Sequence, residues 1–243
     1  MLITIITPTF NSENTLENCL KSVRDQKYHN YEHLIIDNNS TDNTKNIIKK
    51  FASNKIKIVS EKDEGIYYAM NKGVKYSKGE FILFLNSDDQ LIDEFFLLNS
   101  IKILEENIVD ILYSNVLYKK NIFGFSRKFK TGNTLNINKV GFHLPHPGTL
   151  IRKKYLINSG LFDLRYKISA DFDFFIKSKN NKNTKYRYYN NYTVLMSIGG
   201  ASSGLKNIIK ANIECYKSLK RNNEKNPFLF IFLKLFRKFF QLI

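Results

Sequence analysis

FILFLNSDDQL, residues 81–91, drives five apolar residues straight into Asn86, Ser87, Asp88 and Asp89. Unpaired carboxylates are costly to dehydrate. A buried strand that delivers two of them in succession must therefore end in a wet turn or at a bound cation. Glu80 to Leu85 shows no alternation of apolar and polar side chains, the pattern of a strand covered on both faces. Strands of that kind belong to sheets with helices on either side.

Working outward, the sequence predicts such an arrangement. Leu2 to Thr7 is a β-branched run ended by Pro8, and Leu16, Cys19, Leu20 and Val23 then recur at helical spacing. His33 to Asp37 reads as a second strand, followed by Asn38, Asn39, Ser40 and Thr41 as turn and N-cap residues, and by a helix with Ile47, Ile48 and Phe51 inward. Lys55 to Ser60 and Ile66 to Tyr76 supply a third strand and helix. Residues 1 to 120 thus predict an α/β unit with a mostly parallel sheet. The rhythm then weakens. A strand over Asp110–Tyr118, a hairpin and loop over Lys119–Lys139, a helix over Ala170–Lys179, a strand over Tyr186–Ser197 and a helix over Lys206–Asn222 follow, with Gly199 and Gly200 as a break.

The 243 residues, 43% hydrophobic, suffice for a substantial core. The 38 basic against 22 acidic residues, a net charge of +16, favour a polyanionic partner: nucleic acid, an anionic membrane surface or a phosphorylated substrate. Cys19 and Cys215 lack metal spacing and fit a reducing compartment. Without a signal peptide or a spanning apolar run, the expected location is cytoplasmic.

The tail PFLFIFLKLFRKFFQLI places Lys234, Arg237, Lys238 and Gln241 within an arc of about 100° on a helical wheel, with Phe230 as the sole apolar residue sharing it. Sixteen residues from Phe228 reach about 24 Å, less than a bilayer core of about 30 Å. The expectation is a helix lying on a membrane surface. The alternative is that its apolar face packs on the domain or on a second subunit.

Ligands of open α/β sheets bind beyond the carboxyl ends of the strands. Four such ends carry polar clusters: Thr7 to Asn11, Asp37, Glu61 to Gly65, and Asn86 to Asp89. Taken singly, each reads as a turn or a cap; together at one sheet edge they read as a site.

The order TPTFN, IIDNNSTDNT, EKDEGIYYAMNKG, GEFILFLNSDD and GLFDLRYKISADFDFFIK resembles the family 2 glycosyltransferases, which adopt the GT-A fold, over residues 1 to 205. It is similar to the subgroup that builds bacterial surface polysaccharides, where the third element typically reads GIYDAMNKG. The resemblance implies a glycosyltransferase domain at 1–205, with a nucleotide-binding part to about 120 and an acceptor part beyond it, and C-terminal helices at 206–243. It implies that Pro8, Thr9, Phe10 and Asp37 hold the base and ribose of a nucleotide sugar, with Asp63 assisting. Asn71 either supports the site or faces the diphosphate. Asn86, Ser87 and Asp88 stand at the family's DxD motif, so that Asp88 would ligate Mg²⁺ or Mn²⁺, with neutral Asn86 as the departure from the commoner first position. Asp171 stands at the general base, with Asp173 as runner-up paired to Lys177, and Ala170 replaces the usual preceding Glu. His146 is placed on the acceptor side, and Gly200 and Ser202 lie in a glycine-serine stretch suited to a diphosphate.

The expected function is therefore an inverting, metal-dependent transfer from a nucleotide sugar, most simply a UDP-sugar, to a lipid-linked saccharide at the inner membrane face. A catalytically weak binding homologue is the alternative. A nucleic-acid-binding role is disfavoured, because the strand-end acids would meet phosphates.

Overall fold

The computed structural model describes residues 1–119, 127–132, 141, 144–197 and 204–239. Strands β1 (Ile3–Thr9), β2 (Tyr31–Asp37), β3 (Ile56–Ser60) and β4 (Phe81–Phe84) pair in the order β3-β2-β1-β4, all parallel. Helices α1 (Leu16–Arg24), α2 (Thr44–Lys50) and α3 (Ile66–Tyr76) make the crossovers. The sequence stripes face the sheet as expected: Leu16, Cys19, Leu20 and Val23 of α1 are buried, as are Ile47 and Ile48 of α2. All four residues of β4 are buried, so this strand is covered on both faces.

Two local expectations need correction. Pro8 does not end β1, which runs on to Thr9 with Pro8 opposite Ile36. Pro8 shares the orientation of Ile6, whose carbonyl accepts from Leu85 on the β4 side, and the β1–β4 register stops at Ile6. Its missing N–H therefore takes no bond from the ladder. The residue capping α2 is Asn43 rather than one of Asn38 to Thr41, because Ser40 turns back onto Asp37.

Beyond β4 come β5 (Gln90–Leu91), α4 (Phe96–Glu106), β6 (Ile111–Tyr118), β7 (Arg127–Phe129), β8 (Thr149–Arg152), α5 (Lys153–Asn158), α6 (Ala170–Asn180) and β9 (Tyr186–Met196). They extend the sheet to β3-β2-β1-β4-β8-β6-β9-β5, with β7 paired to β6. This half is mixed: β8 is antiparallel to β4 and β6, β9 is parallel to β6, and β5 is antiparallel to β9. Parallel pairing is thus confined to the first four strands and the β6–β9 pair. The entry to β4 lies tight against β1. A Cβ on Gly79 would stand 2.5 Å from the Thr4 backbone nitrogen and 2.8 Å from the Ile3 carbonyl carbon.

The chain closes with α7 (Leu205–Arg221) and α8 (Pro227–Phe239). Helix α8 docks through the arc that the wheel marked as cationic. Phe230 is buried among Phe172, Ile176, Cys215 and Leu219, and the Lys234 ammonium sits 4.9 Å from the centre of the Phe172 ring and donates to Cys215 Sγ at 3.0 Å. A lysine stem covers apolar surface well when its ammonium meets a ring face. Lys234 is therefore an anchor rather than a solvent-facing cation. The Arg237 and Lys238 side chains, and Gln241, lie outside the described residues. Among the described residues no helix is long and apolar enough to cross a membrane.

Candidate active site

The carboxyl ends of the four parallel strands are laced together by short polar side chains. Asn11, held at a φ of 46°, donates its N–H to Ser40 Oγ and accepts from Thr41 N–H, joining the loops after β1 and β2. The Ser12 and Ser87 hydroxyls meet at 2.8 Å, joining β1 to β4. Asn38 accepts from the Asp63 N–H, joining β2 to β3. The polar clusters picked out in the sequence thus form one edge.

Within it, residues take different parts. Pro8 and Thr9 are buried at the end of β1, Thr9 Oγ1 without a partner, whereas Phe10 is 55% exposed and available to a planar base. Asp37 is fully buried. Its Oδ1 accepts from Ser40 Oγ at 2.5 Å and its Oδ2 from Ser60 Oγ at 2.6 Å, while the Ser40 N–H reaches both. Any base contact by Asp37 competes with those bonds. Asp63 is ion-paired to Lys72 at 2.6 Å, and its buried Oδ2 has no hydrogen bond. Asn71 bonds the backbone of Phe162 in both directions, at 2.9 and 3.1 Å. Both ends of its carboxamide are thus spent on the segment before α6.

The turn after β4 separates its two carboxylates. Asp89 is buried; its Oδ1 accepts the Ser197 N–H at 3.1 Å and its Oδ2 accepts from Asn86 Nδ2 at 3.0 Å. Asp88 stays partly exposed, and its carbonyl accepts from Ser197 Oγ. Asn86 Oδ1 is buried with no partner among the described residues. A free carboxylate beside an orphaned carboxamide oxygen is a hard-oxygen donor set that suits Mg²⁺ or Mn²⁺, which typically takes one or two carboxylates and completes its shell with phosphate oxygens and water. Among the described residues no cluster of three or more His, Cys, Asp or Glu could hold an ion unaided, so any such site is shared with a ligand. Gly200 and Ser202 lie outside the described residues, in the segment that starts immediately after Ser197.

The second group of residues is built on the amino end of α6. Asp171, in its first turn, is partly exposed and accepts from Tyr67 Oη at 2.7 Å; the same hydroxyl lies 2.8 Å from the Ile168 carbonyl. Glu214 of α7 accepts the N–H groups of Lys167, Ile168 and Ser169. The loop entering the helix is thereby held from both sides. Asp173 points elsewhere: it is fully buried, ion-paired to Lys177 at 2.6 Å and bonded by Ser218 and Asn222 of α7. Through Ser218 this buried carboxylate ties α6 to α7, while Lys177, on the same helix, balances its charge. His146 is buried against Phe84 and Phe162, with ring centres 5.0 and 5.5 Å away, and its Nε2 has no partner among the described residues. Burial pushes its pKa down while the nearby Asp171 charge pulls it up, so the imidazole is held neutral. Since Phe84 precedes Asn86 by two residues, His146 packs between the β4 strand end and the segment that leads to α6.

Tyr67, Glu214, Ser197 and Phe162 were not foreseen. One signal for the first was present: Tyr67 and Asn71 are four apart and so share a face of α3, and both reach the segment before α6.

Comparisons with known proteins bear on the family and the fold. The model of the family described as "Glycosyl transferase family 2" matches residues 4–160. The "PGL/p-HBAD biosynthesis glycosyltransferase" of Mycobacterium tuberculosis is 30% identical over 214 residues, covering 86% of this chain and 80% of that protein. The Escherichia coli "UDP-Glc:alpha-D-GlcNAc-diphosphoundecaprenol beta-1,3-glucosyltransferase WfgD" is 34% identical over 142 residues, 57% of this chain and 54% of that one. Among solved structures, S. aureus TarS 1–349 in complex with UDP-GlcNAc has a TM-score of 0.70 at 21% identity, covering 91% of this chain and 65% of that one. The mannosyltransferase PcManGT from Pyrobaculum calidifontis, in complex with GDP-Man and Mn²⁺, has a TM-score of 0.67 at 16% identity, covering 96% and 69%. These two establish likeness of fold; the matched family model and the mycobacterial relative establish descent, and the chain belongs to the family 2 glycosyltransferases.

Proposed function

We propose that this glycosyltransferase moves a sugar from a UDP-sugar to a hydroxyl of a lipid-linked saccharide in surface-glycan assembly, at the inner membrane face and with inversion at the anomeric carbon. The observation that carries the reading is the placement of Asp171: a carboxylate, partly open, fixed by Tyr67 and next to a neutral His146. An acceptor hydroxyl is a poor nucleophile. Asp171 takes its proton as the oxygen bonds to the anomeric carbon, and the bond to the donor phosphate breaks with its electron pair leaving on the nucleoside diphosphate. Neutral His146, with a nitrogen free, suits a hydrogen bond to the acceptor. Phe10 offers a face for the base, and Thr9 and Asp63 offer polar atoms not yet satisfied. Asp88, with Asn86, would hold Mg²⁺ or Mn²⁺, which when bound supplies charge compensation to the departing diphosphate.

The donor and acceptor classes are supported by the relatives. WfgD is named for UDP-Glc and a diphosphoundecaprenol-linked acceptor, and TarS binds UDP-GlcNAc. Product formation from a panel of UDP-sugars and an undecaprenyl-diphosphate-linked acceptor, followed by chromatography, tests the reading. Asp171→Asn is expected to lower kcat about 10²- to 10⁴-fold with little change in donor KM, and Asp88→Asn to abolish the response to added Mn²⁺. Transfer that survives Asp171→Asn overturns the assignment of the base.

A further inference from the structure

The C-terminal helices carry an exposed surface with two chemically distinct strips. Because α8 docks through Phe230 and Lys234, its opposite side is turned outward, and there Phe228, Leu229, Phe232 and Leu235 are 76%, 46%, 62% and 39% exposed. Large apolar side chains grouped in this way exceed what a solvated surface carries by chance. Helix α7 continues the strip. At about 100° per residue, Leu205, Ile209 and Ile213 fall within about 80° of one another, and they are 75%, 53% and 49% exposed. The two helices join where the Tyr216 and Phe228 rings lie 4.7 Å apart.

Beside the apolar strip of α7 runs a cationic one. Lys206, Lys217, Lys210 and Arg221 occupy the next arc of about 60° on the same wheel, with Lys220 within the arc of the apolar strip, and all are exposed. Among the described residues no acid is paired with them. Of the two acids between residues 204 and 239, Glu214 is buried on the base loop and Glu224 is paired with Lys179 at 2.9 Å. The strips therefore differ in charge but share one outward aspect, while the acids of the pair are consumed by the domain.

We propose that α7 and α8 together form a membrane-docking surface for an anionic bilayer, with the α8 strip and Leu205, Ile209 and Ile213 at the boundary between headgroups and acyl chains, and the α7 lysines on anionic headgroups. An amphipathic helix binds an interface through buried apolar area plus attraction to anionic lipid. This differs from the single cationic helix that the sequence predicts: Lys234 anchors α8 internally, and the headgroup contacts come from α7. A second copy of the chain or a protein partner would place five uncompensated cations at its edge, whereas anionic headgroups neutralise them. The proposal fits a lipid-linked acceptor but does not need one, so it can be tested without acceptor or donor.

Co-sedimentation of the full chain with vesicles measures it. Vesicles of phosphatidylcholine with phosphatidylglycerol are expected to bind the protein, and pure phosphatidylcholine vesicles much less. Replacing Lys206, Lys210 and Lys217 by Gln is expected to weaken binding to the anionic vesicles by about fivefold per lysine and to leave binding to neutral vesicles unchanged. Leu229→Ser with Phe232→Ser is expected to weaken binding to both by at least about tenfold. Both positions are exposed, so an unchanged melting temperature accompanies the loss, and transfer to a short soluble acceptor stays at the wild-type rate. The proposal is overturned if the chain fails to bind anionic vesicles, if neither variant weakens binding, or if the serine variant converts a lipid-free dimer to a monomer in sedimentation velocity. Vesicle binding that persists in a chain inactive on every UDP-sugar would keep this surface and overturn the proposed donor.

Discussion

Asp89 is the residue whose ionisation is most exposed to test, because its role separates so clearly from that of Asp88. It is buried, and burial, then the charge of Asp88, push its pKa up to about 7 against the Ser197 and Asn86 bonds that favour the charged form. In the unfolded chain an aspartate titrates near 4. A raised folded-state value means that the folded chain binds the proton more tightly, so its stabilising contribution is complete below about pH 4 and is lost as pH rises through about 7. The melting-temperature difference between wild type and Asp89→Asn, measured in chelator from pH 4 to pH 8, is therefore expected to shift against the wild type as pH rises. Buried His33, held down to about 3, acts in the opposite sense but is common to both chains and cancels. A pH-independent difference would contradict this account. At this scale the sequence conveyed which residues carry chemistry and seldom what each one touches. Asp37, Asn71 and Asp173 were legible as polar residues at strand ends or in a helix; their bonds to Ser60, Phe162 and Ser218 depend on chain segments far away in sequence.

Helices with a one-sided apolar stripe were readable to within a residue or two, as in α1 and α3, because the stripe is a local property that burial rewards directly. The second half of the sheet was harder. Strands β5, β7 and β8 span two to four residues, too few for a period to show, and β9 pairs with β6 across the whole segment that contains α5 and α6. The tightness of the first half gives the prediction at this scale. Gly79→Ala drives a methyl into the Thr4 and Ile3 backbone, which cannot rotate away, at a cost of about 1–3 kcal/mol. For a chain of this size that lowers Tm by about 2–10 °C, measured by calorimetry. An unchanged Tm would mean that β1 and the entry to β4 are not so closely apposed.

For the molecule as a whole, the sequence conveyed a domain followed by a tail, but the tail is not an appendage. Residues 205–239 supply Glu214 to the loop entering α6, Ser218 and Asn222 to Asp173, and the cover for Phe172 and Ile176. A chain truncated before α7 leaves the Lys167, Ile168 and Ser169 N–H groups without their acceptor and exposes apolar surface. It is expected to melt at lower temperature than the intact protein and to aggregate on heating, as followed by light scattering; a truncation as stable as the parent would refute the tie. The Glu214 contact also bears on how such enzymes can be recombined. A tail exchanged between relatives to redirect one of them brings with it the acceptor that holds the loop entering α6, so the proposed address and the proposed base are inherited as a single unit rather than as interchangeable modules.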